Sequence, residues 1–142
     1  MAQDQIARFG VSLSRALLSR FDRMVRQKGY RNRSLAISDM IRDQLVSHQQ
    51  EMGEGEAVGT ITLVYDHHRS QVQQKLTDLQ HEHLETIVST LHVHLDHHDC
   101  LEVLVVRGSV PALRRVADHL IAARGVKHGK LTLTSSGRNL PG

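Results

Sequence analysis

Two histidines separated by one residue, His92 and His94, have the clearest capacity for chemistry in this sequence. They lie in the alternating segment Leu-His-Val-His-Leu at residues 91–95. Its period of two predicts a β-strand with both imidazoles on one face, their Cα atoms about 6.5–7 Å apart. Two imidazoles at that spacing can bind one metal ion, with bonds of about 2 Å if the metal is zinc. The same alternation sends Val93 and Leu95 to the other face, which we expect to be the core.

Cys100 offers a third donor close to this pair. It follows a polar stretch at residues 96–99 that is typical of a hairpin turn, and an antiparallel return would bring its sulfur beside the two histidines. A fourth donor must come from elsewhere, and His81 and His83, near the end of a predicted helix, are the candidates. Three imidazoles with one thiolate suit tetrahedral zinc, whereas a square-planar site favours Ni(II) or Cu(II), so residue types alone leave the metal open.

The remaining histidines carry less geometric information, because they are adjacent to one another or isolated. We expect ordinary solvated side chains at His67, His68, His97, His98 and His119. Cys100 is the only cysteine, so no disulfide can form within the chain, and a lone thiol is common in a reducing compartment.

Charge is distributed unevenly along the chain. Residues 1–52 hold nine Lys and Arg against five Asp and Glu, whereas residues 53–142 hold nine against ten. Only one of the eleven histidines precedes residue 53. This asymmetry indicates two functions, one with an anionic partner and one with protons or metal ions.

The first third of the chain predicts a strand followed by two helices. Residues 6–13 alternate as a strand with one buried face does, and Ser14 is a typical N-cap for a helix that runs to Lys28 and ends at Gly29. Asn32 or Ser34 would cap a second helix that runs to about Glu51. A single strand has two unpaired edges, so two copies should pair their strands into an antiparallel ribbon above four helices. The pattern therefore predicts an obligate dimer.

The rest of the chain predicts a small α+β domain. Residues 52–59 are small, acidic and glycine-rich, as a linker is. The expected order beyond them is strand 60–65, helix 70–83, strands 86–95 and 101–106, a helix that starts near Pro111, and strand 126–134. This βαββαβ order is typical of the ferredoxin-like fold. The predicted domains are thus 1–51, the linker 52–59, and 60–142.

Several motifs together closely resemble the nickel-responsive transcriptional regulator family, which joins a ribbon-helix-helix domain to an ACT-like domain. The resemblance covers nearly the whole chain. Its most specific parts are Asn32-Arg33-Ser34, Leu91-His92-Val93-His94, Asp99-Cys100-Leu101-Glu102 and Gly125-Val126-Lys127-His128-Gly129.

The resemblance implies a homotetramer, a dimer of dimers joined through the ACT-like domains. It implies one square-planar Ni(II) per subunit, bound by His92, His94 and Cys100 of one subunit and His81 of a neighbour. His81 is chosen over His83 because it lies in the family's Gln-His element. Three further residues match positions that orient the ligands: Tyr65, Gln80 and Glu102.

The same resemblance implies that the protein binds double-stranded operator DNA. A two-stranded ribbon fits the major groove, where Arg8 could read guanine and Ser12 would discriminate less. The start of the second helix would hold a phosphate, through Asn32, Arg33 and Ser34. Gly10 departs from the family pattern, so the strand offers one side chain fewer to contact DNA. Some members of the family hold a further cation between domains with two acidic residues of the second helix. Asp39 matches one of these residues, and Leu35 replaces the other.

The sequence therefore predicts a cytoplasmic, nickel-dependent repressor rather than an enzyme. No apolar run is long enough to span a bilayer. Beyond Glu102, no residue is well placed as a general base for a metalloenzyme. The residue pattern is also compatible with a nickel storage or chaperone protein, and with a ribbon-helix-helix regulator of another metal or of a small molecule.

Overall fold

A computed structural model of the chain describes residues 5–53, 55–69, 71–138 and 140. Within it the chain divides into two compact units. The first comprises residues 5–45 with Leu140, and the second comprises residues 46–138. None of the helices in these described ranges is both long enough and apolar enough to cross a membrane.

The first unit contains helix α1 and most of helix α2, whose last residues, from Val46 on, belong to the second unit; both helices have the caps that the sequence predicts. Helix α1 spans Arg15–Gln27, and the Ser14 hydroxyl accepts a hydrogen bond from the Leu17 N–H at 3.2 Å. Gly29 follows with φ +79°, a left-handed conformation that glycine adopts without strain. Helix α2 spans Arg33–Met52, and Asn32 caps it by accepting from the Leu35 N–H at 3.0 Å. Of the two caps considered for this helix, Asn32 is the one used.

The predicted strand at residues 6–13 is not paired within a single chain. Residues 5–14 carry no regular secondary structure, and residues 5–13 are exposed. The physical reason is that a strand is defined by its hydrogen-bonded neighbour, and the expected neighbour is the same segment of a second copy. The ribbon therefore stays a prediction.

An apolar groove runs along this first unit. Its lining is almost entirely apolar and comes from the extended N-terminal segment and from both helices. It is lined by Phe9, Val11, Leu13, Leu17, Phe21, Ile37, Met40, Ile41, Gln44 and Leu45.

The second unit has the predicted βαββαβ order. The elements are β1 (Glu56–Asp66), α3 (Val72–Glu82), β2 (Ile87–His94), β3 (Asp99–Ser109), α4 (Val110–Ile121) and β4 (Val126–Ser135). The strands form one antiparallel sheet in the order β2-β3-β1-β4, which confirms the ferredoxin-like arrangement. Strand β1 begins earlier than the predicted residue 60, and α3 begins at Val72. Some residues of the predicted segments lie outside the described residues: 1–4 of the first domain, Glu54 of the linker, Ser70 of the helix start, and Asn139 and residues 141–142 of the last domain.

Only one face of this sheet is packed in the core. Buried side chains alternate along β1 and β3, and the apolar stripe of α4 packs with them. The principal members are Ile61, Leu63, Tyr65, Leu76, Cys100, Leu104, Val106, Leu113, Val116 and Leu120. The opposite face of the sheet is not covered by either helix of this unit.

The predicted orientation of strand β2 is wrong. His92 pairs with Glu102 and His94 with Cys100, so both histidines lie on the same face as the buried side chains of β3. Val93 and Leu95, predicted to enter the core, are instead 37% and 53% exposed. Alternation separates two faces but does not say which one the helices cover, and this strand lies at the edge of the sheet, where neither face is fully covered.

Candidate metal centre

Cys100 occupies the centre of a row of side chains across three strands. It pairs with His94 of β2 on one side and with Tyr65 of β1 on the other. Its side chain is fully buried, and its Sγ lies 3.4 Å from Nδ1 of His94. The antiparallel return predicted from the sequence therefore does bring the thiol beside a histidine of the pair.

His67 is a functional candidate that sequence reasoning missed. The sequence predicts a solvated side chain there, but His67 is half-buried and its Nδ1 lies 3.2 Å from the Cys100 sulfur. His67, His94 and Cys100 offer ligand atoms that all lie within 4.8 Å of one another. The signal that could have found it is topological: in this fold β1 and β3 are antiparallel neighbours, so the residue after β1 lies beside the start of β3.

His92 lies next to this group, with its ring centroid 5.0 Å from that of His94. Its Nδ1 is 3.1 Å from the Tyr65 hydroxyl. Burial raises the pKa of that hydroxyl, and the charge of Glu102 raises it further, so the phenol stays protonated. When Nδ1–H of His92 donates to the hydroxyl oxygen, the lone pair of Nε2 is free for a metal ion.

A polar network connects helix α3 to the strands beside the candidate ligands. The Gln80 amide donates to the Glu102 carboxylate at 3.0 Å, and the Thr90 hydroxyl donates to the Gln80 carbonyl oxygen at 3.3 Å. Glu102 is the buried charged side chain among the described residues, at 7% exposure. All three residues that the sequence placed around the ligands, Tyr65, Gln80 and Glu102, therefore contact one another or a candidate ligand.

The two candidates for the fourth donor lie at the end of α3. His81 is exposed in the last turn of the helix. His83 is the C-cap residue, and its ring contacts His119 of α4 rather than pointing to solvent alone.

The turn before Cys100 is held by Asp96. Its carboxylate accepts hydrogen bonds at 2.8 Å from the backbone N–H groups of His98 and Asp99, and these bonds lower the pKa of the Asp96 carboxyl. Lys127 of β4 forms an ion pair with Asp99. These contacts fix the backbone on which Cys100 enters the sheet.

The Cys100 thiol is protonated before any metal binds. Burial raises its pKa, and the neighbouring carboxylates of Asp99 and Glu102 raise it further. A metal ion must displace this proton, because the thiolate is the form that binds metal. Imidazole and thiolate donors suit borderline and soft ions such as Ni(II), Zn(II) and copper, and they disfavour Mg(II) or Ca(II). The residues present thus fit a nickel ion.

The candidate DNA contacts all lie in the first unit. Arg8 and Ser12 are exposed, and Ser34 is exposed in the first turn of α2. The Asn32 side chain is engaged as the helix cap. Arg33 makes two hydrogen bonds of 2.8 Å to the carboxylate of Asp22, although 57% of its side chain remains exposed.

Comparison with known proteins places the chain among proteins named for nickel. Residues 58–134 match the family model of the NikR C-terminal nickel-binding domain. Relatives named as proposed nickel-responsive regulators occur in Pyrococcus furiosus (51% identity, covering 95% of this chain and 98% of the relative) and in Geobacter sp. strain M21 (55% identity, covering 96% and 98%). A solved structure of an uncharacterized Thermotoga maritima protein superposes with a TM-score of 0.51 at 16% identity. It covers 57% of this chain and all of its own, and it supports the fold alone.

The family model covers the strands that carry the candidate ligands, and the relatives cover nearly the entire chain, including the first unit. Both matches name nickel, and the relatives are named as regulators rather than enzymes. The chain therefore belongs to the nickel-responsive regulator family.

Proposed function

We propose that this protein is a repressor that binds operator DNA when nickel is bound. One Ni(II) per subunit is held by His92, His94 and Cys100 of that subunit and by His81 of a neighbouring one. The observation that carries the proposal is the contact between the buried Cys100 sulfur and His94 on a strand that also presents His92. This is the HxH and cysteine arrangement on which the family resemblance rests.

Donor orientation supports a four-coordinate site completed from another subunit. The Tyr65 hydroxyl fixes the ring of His92, and the Gln80–Glu102 hydrogen bond holds the helix turn that contains His81. His81 itself is exposed, as a residue donated to another subunit must be before assembly. Nickel bound in this way would join two subunits, which a site within one chain cannot do.

Two uncovered apolar surfaces support the proposed dimer of dimers. The groove of the first unit would be covered when a second copy pairs with residues 6–13. The open face of the sheet carries a second apolar surface, which would be covered by sheet packing between the second units. Its members are Leu91, Val93, Leu101, Val103 and Val105.

DNA binding is proposed for the first unit, where the positive charge is concentrated. Arg8 and Ser12 would contact base edges from the paired ribbon, and the α2 N-terminus at Asn32, Arg33 and Ser34 would contact phosphate. Because Asp22 already pairs with Arg33, this arginine is oriented before DNA arrives. Gly10 contributes no side chain to the readout.

Regulation by nickel requires that nickel bind the DNA-competent arrangement of the protein more tightly than the other arrangement. Equal affinity for both arrangements would leave the equilibrium between them unchanged. A gel-shift titration with the operator duplex, with and without stoichiometric Ni(II), tests this. We expect retardation with nickel and none at the same protein concentration without it. Equal binding in both conditions would refute the repressor proposal.

The metal assignment needs a separate measurement. Absorption spectra of the nickel-loaded protein should contain a thiolate-to-nickel charge-transfer band with a square-planar pattern. Cys100→Ala should abolish the band, and His48→Ala, at an exposed position on α2, should leave it unchanged. A tetrahedral spectrum, or tight nickel binding by Cys100→Ala, would contradict the proposed site and favour a regulator of another metal.

A further inference from the structure

A second pair of imidazoles lies on the helical side of the second unit, in side chains that the proposed nickel site does not use. Nε2 of His83 is 3.3 Å from Nδ1 of His119. Their ring centroids are 5.5 Å apart, and their planes are inclined at 42°. His83 is half-buried and His119 is exposed, so the pair lies at the surface of the second unit.

Both residues are held on fixed backbone. The His83 N–H donates to the Gln80 carbonyl at 3.1 Å, and the His83 carbonyl accepts from the N–H groups of Thr86 at 3.0 Å and Ile87 at 3.1 Å. His119 lies in α4, whose first turn is capped by Ser109 and whose neighbouring residue Leu120 is fully buried. The two rings therefore meet because of rigid elements and not because of mobile loops.

The 3.3 Å between the two ring nitrogens matches the distance between two ligand atoms on one metal ion. Two nitrogens bonded to one tetrahedral ion at about 2.0–2.1 Å lie about 3.3–3.4 Å apart. Imidazole nitrogens suit zinc, copper and nickel, and the exposed side of the pair leaves room for water in the other coordination positions.

We propose that His83 and His119 form a second metal site, a two-imidazole chelate for Zn(II) or a similar borderline divalent cation. It contains no thiolate and has fewer protein ligands than the strand site, so it binds more weakly. An ion held there joins the end of α3 to α4. If the proposed function is correct, this ion also restrains the helix turn that carries His81. Excess metal would then reduce the mobility of a nickel ligand.

Zinc binding by the full-length protein tests this proposal. The wild-type protein, His83→Ala, His119→Ala and the double variant are dialysed against the same free Zn(II) concentration, and bound zinc per chain is counted by elemental analysis. Each single variant should bind about one zinc ion fewer than the wild type, and the double variant should lose no more than either single one, because both residues share one ion.

His48→Ala is the matched control, since it removes an exposed histidine elsewhere, and it should retain the wild-type count. Zinc should also slow amide hydrogen exchange at Thr86 and Ile87 in the wild type but not in His119→Ala. An unchanged zinc count in His119→Ala would overturn the proposal and leave the contact as a hydrogen bond between the two imidazoles. The count does not depend on nickel or DNA, so failure of the repressor proposal would not affect it.

Discussion

At the scale of single residues, the buried thiol of Cys100 sets the pH range in which nickel can bind. Its pKa is raised by burial and by nearby carboxylates, so the free protein carries a proton at the sulfur and the nickel complex does not. Binding therefore releases this proton, and lower pH favours the free form. Nickel affinity should therefore increase with pH and level off above the raised pKa of the thiol.

The expected size of this effect is about tenfold in the nickel Kd for each pH unit below that pKa, for one proton released. Chelator competition at a series of pH values above about pH 7 is the measurement. In Cys100→Ala the residual nickel binding should lose this slope. A wild-type Kd that does not vary with pH would show that nickel binding releases no thiol proton.

His67 distinguishes metals that prefer different geometries. Together with His94 and Cys100 it offers three donors within one chain, a set that a tetrahedral ion could use without a neighbouring subunit. We expect His67→Ala to weaken Zn(II) binding at the strand site more than Ni(II) binding, whose proposed ligands do not include His67. Competition titrations with the two metals give the ratio of affinities.

His48→Ala is the matched control for this prediction, because it removes an exposed histidine on α2 that is outside the group formed by His67, His94 and Cys100. The ratio of zinc to nickel affinity should stay at the wild-type value in this variant. Equal weakening of both metals by His67→Ala would instead place His67 in the nickel site.

At the scale of elements, the start of α3 depends on the lack of a side chain at Gly125. A Cβ atom there would lie 2.1 Å from Cγ2 of Val72, and the residue has φ +100°. Gly125→Ala should destabilise the fold by about 1–3 kcal/mol from overpacking, with backbone strain in addition. Urea denaturation measures the change in the free energy of unfolding.

Gly137→Ala separates the two contributions, since Gly137 has φ +81° but nothing within 4 Å of the added Cβ. It should show the conformational cost without the clash. Adding Val72→Ala to Gly125→Ala should recover part of the loss, since it removes the nearest methyl groups. If the two glycine variants lose equal stability, the contact with Val72 is not the cause.

Local signals in the sequence predict most of the elements correctly. Ser14 caps α1, Gly29 ends the turn after it, and the His-Val-His alternation marks β2, because caps and periodicity depend on neighbouring residues. The features that could not be predicted from the sequence depend on pairing between strands that are distant along the chain. The contact of His67 with Cys100 depends on β1 and β3 being neighbours, and the exposure of Val93 depends on which face the helices cover.

At the scale of the whole molecule, assembly is expected to cover the apolar groove of the first unit. Leu17 lies in this groove and is 54% exposed in the single chain, an unfavourable position for a leucine in water. Leu17→Glu should prevent dimerisation through the first unit and abolish operator binding, because a charge would be buried in an apolar interface. Light scattering after size exclusion gives the mass.

Ser19→Glu adds the same charge at an exposed position of α1 outside the groove, and it should keep the wild-type mass. Far-ultraviolet circular dichroism of both variants checks that the helices are intact. A Leu17→Glu protein with wild-type mass and DNA binding would contradict the proposed dimer surface.

Strand β2, which carries His92 and His94, is bonded to the rest of the sheet through β3 alone in the described part of the chain. A strand with one neighbour detaches more readily than a central one, so its opening competes with occupancy of the ligand positions. The measured affinity is then the intrinsic affinity multiplied by the fraction of molecules in which the strand is closed. Substitutions that weaken β2–β3 pairing should consequently lower metal affinity without altering a ligand. Protection of the β2 amides from hydrogen exchange then reports metal occupancy, even for ions such as Zn(II) that have no visible absorption.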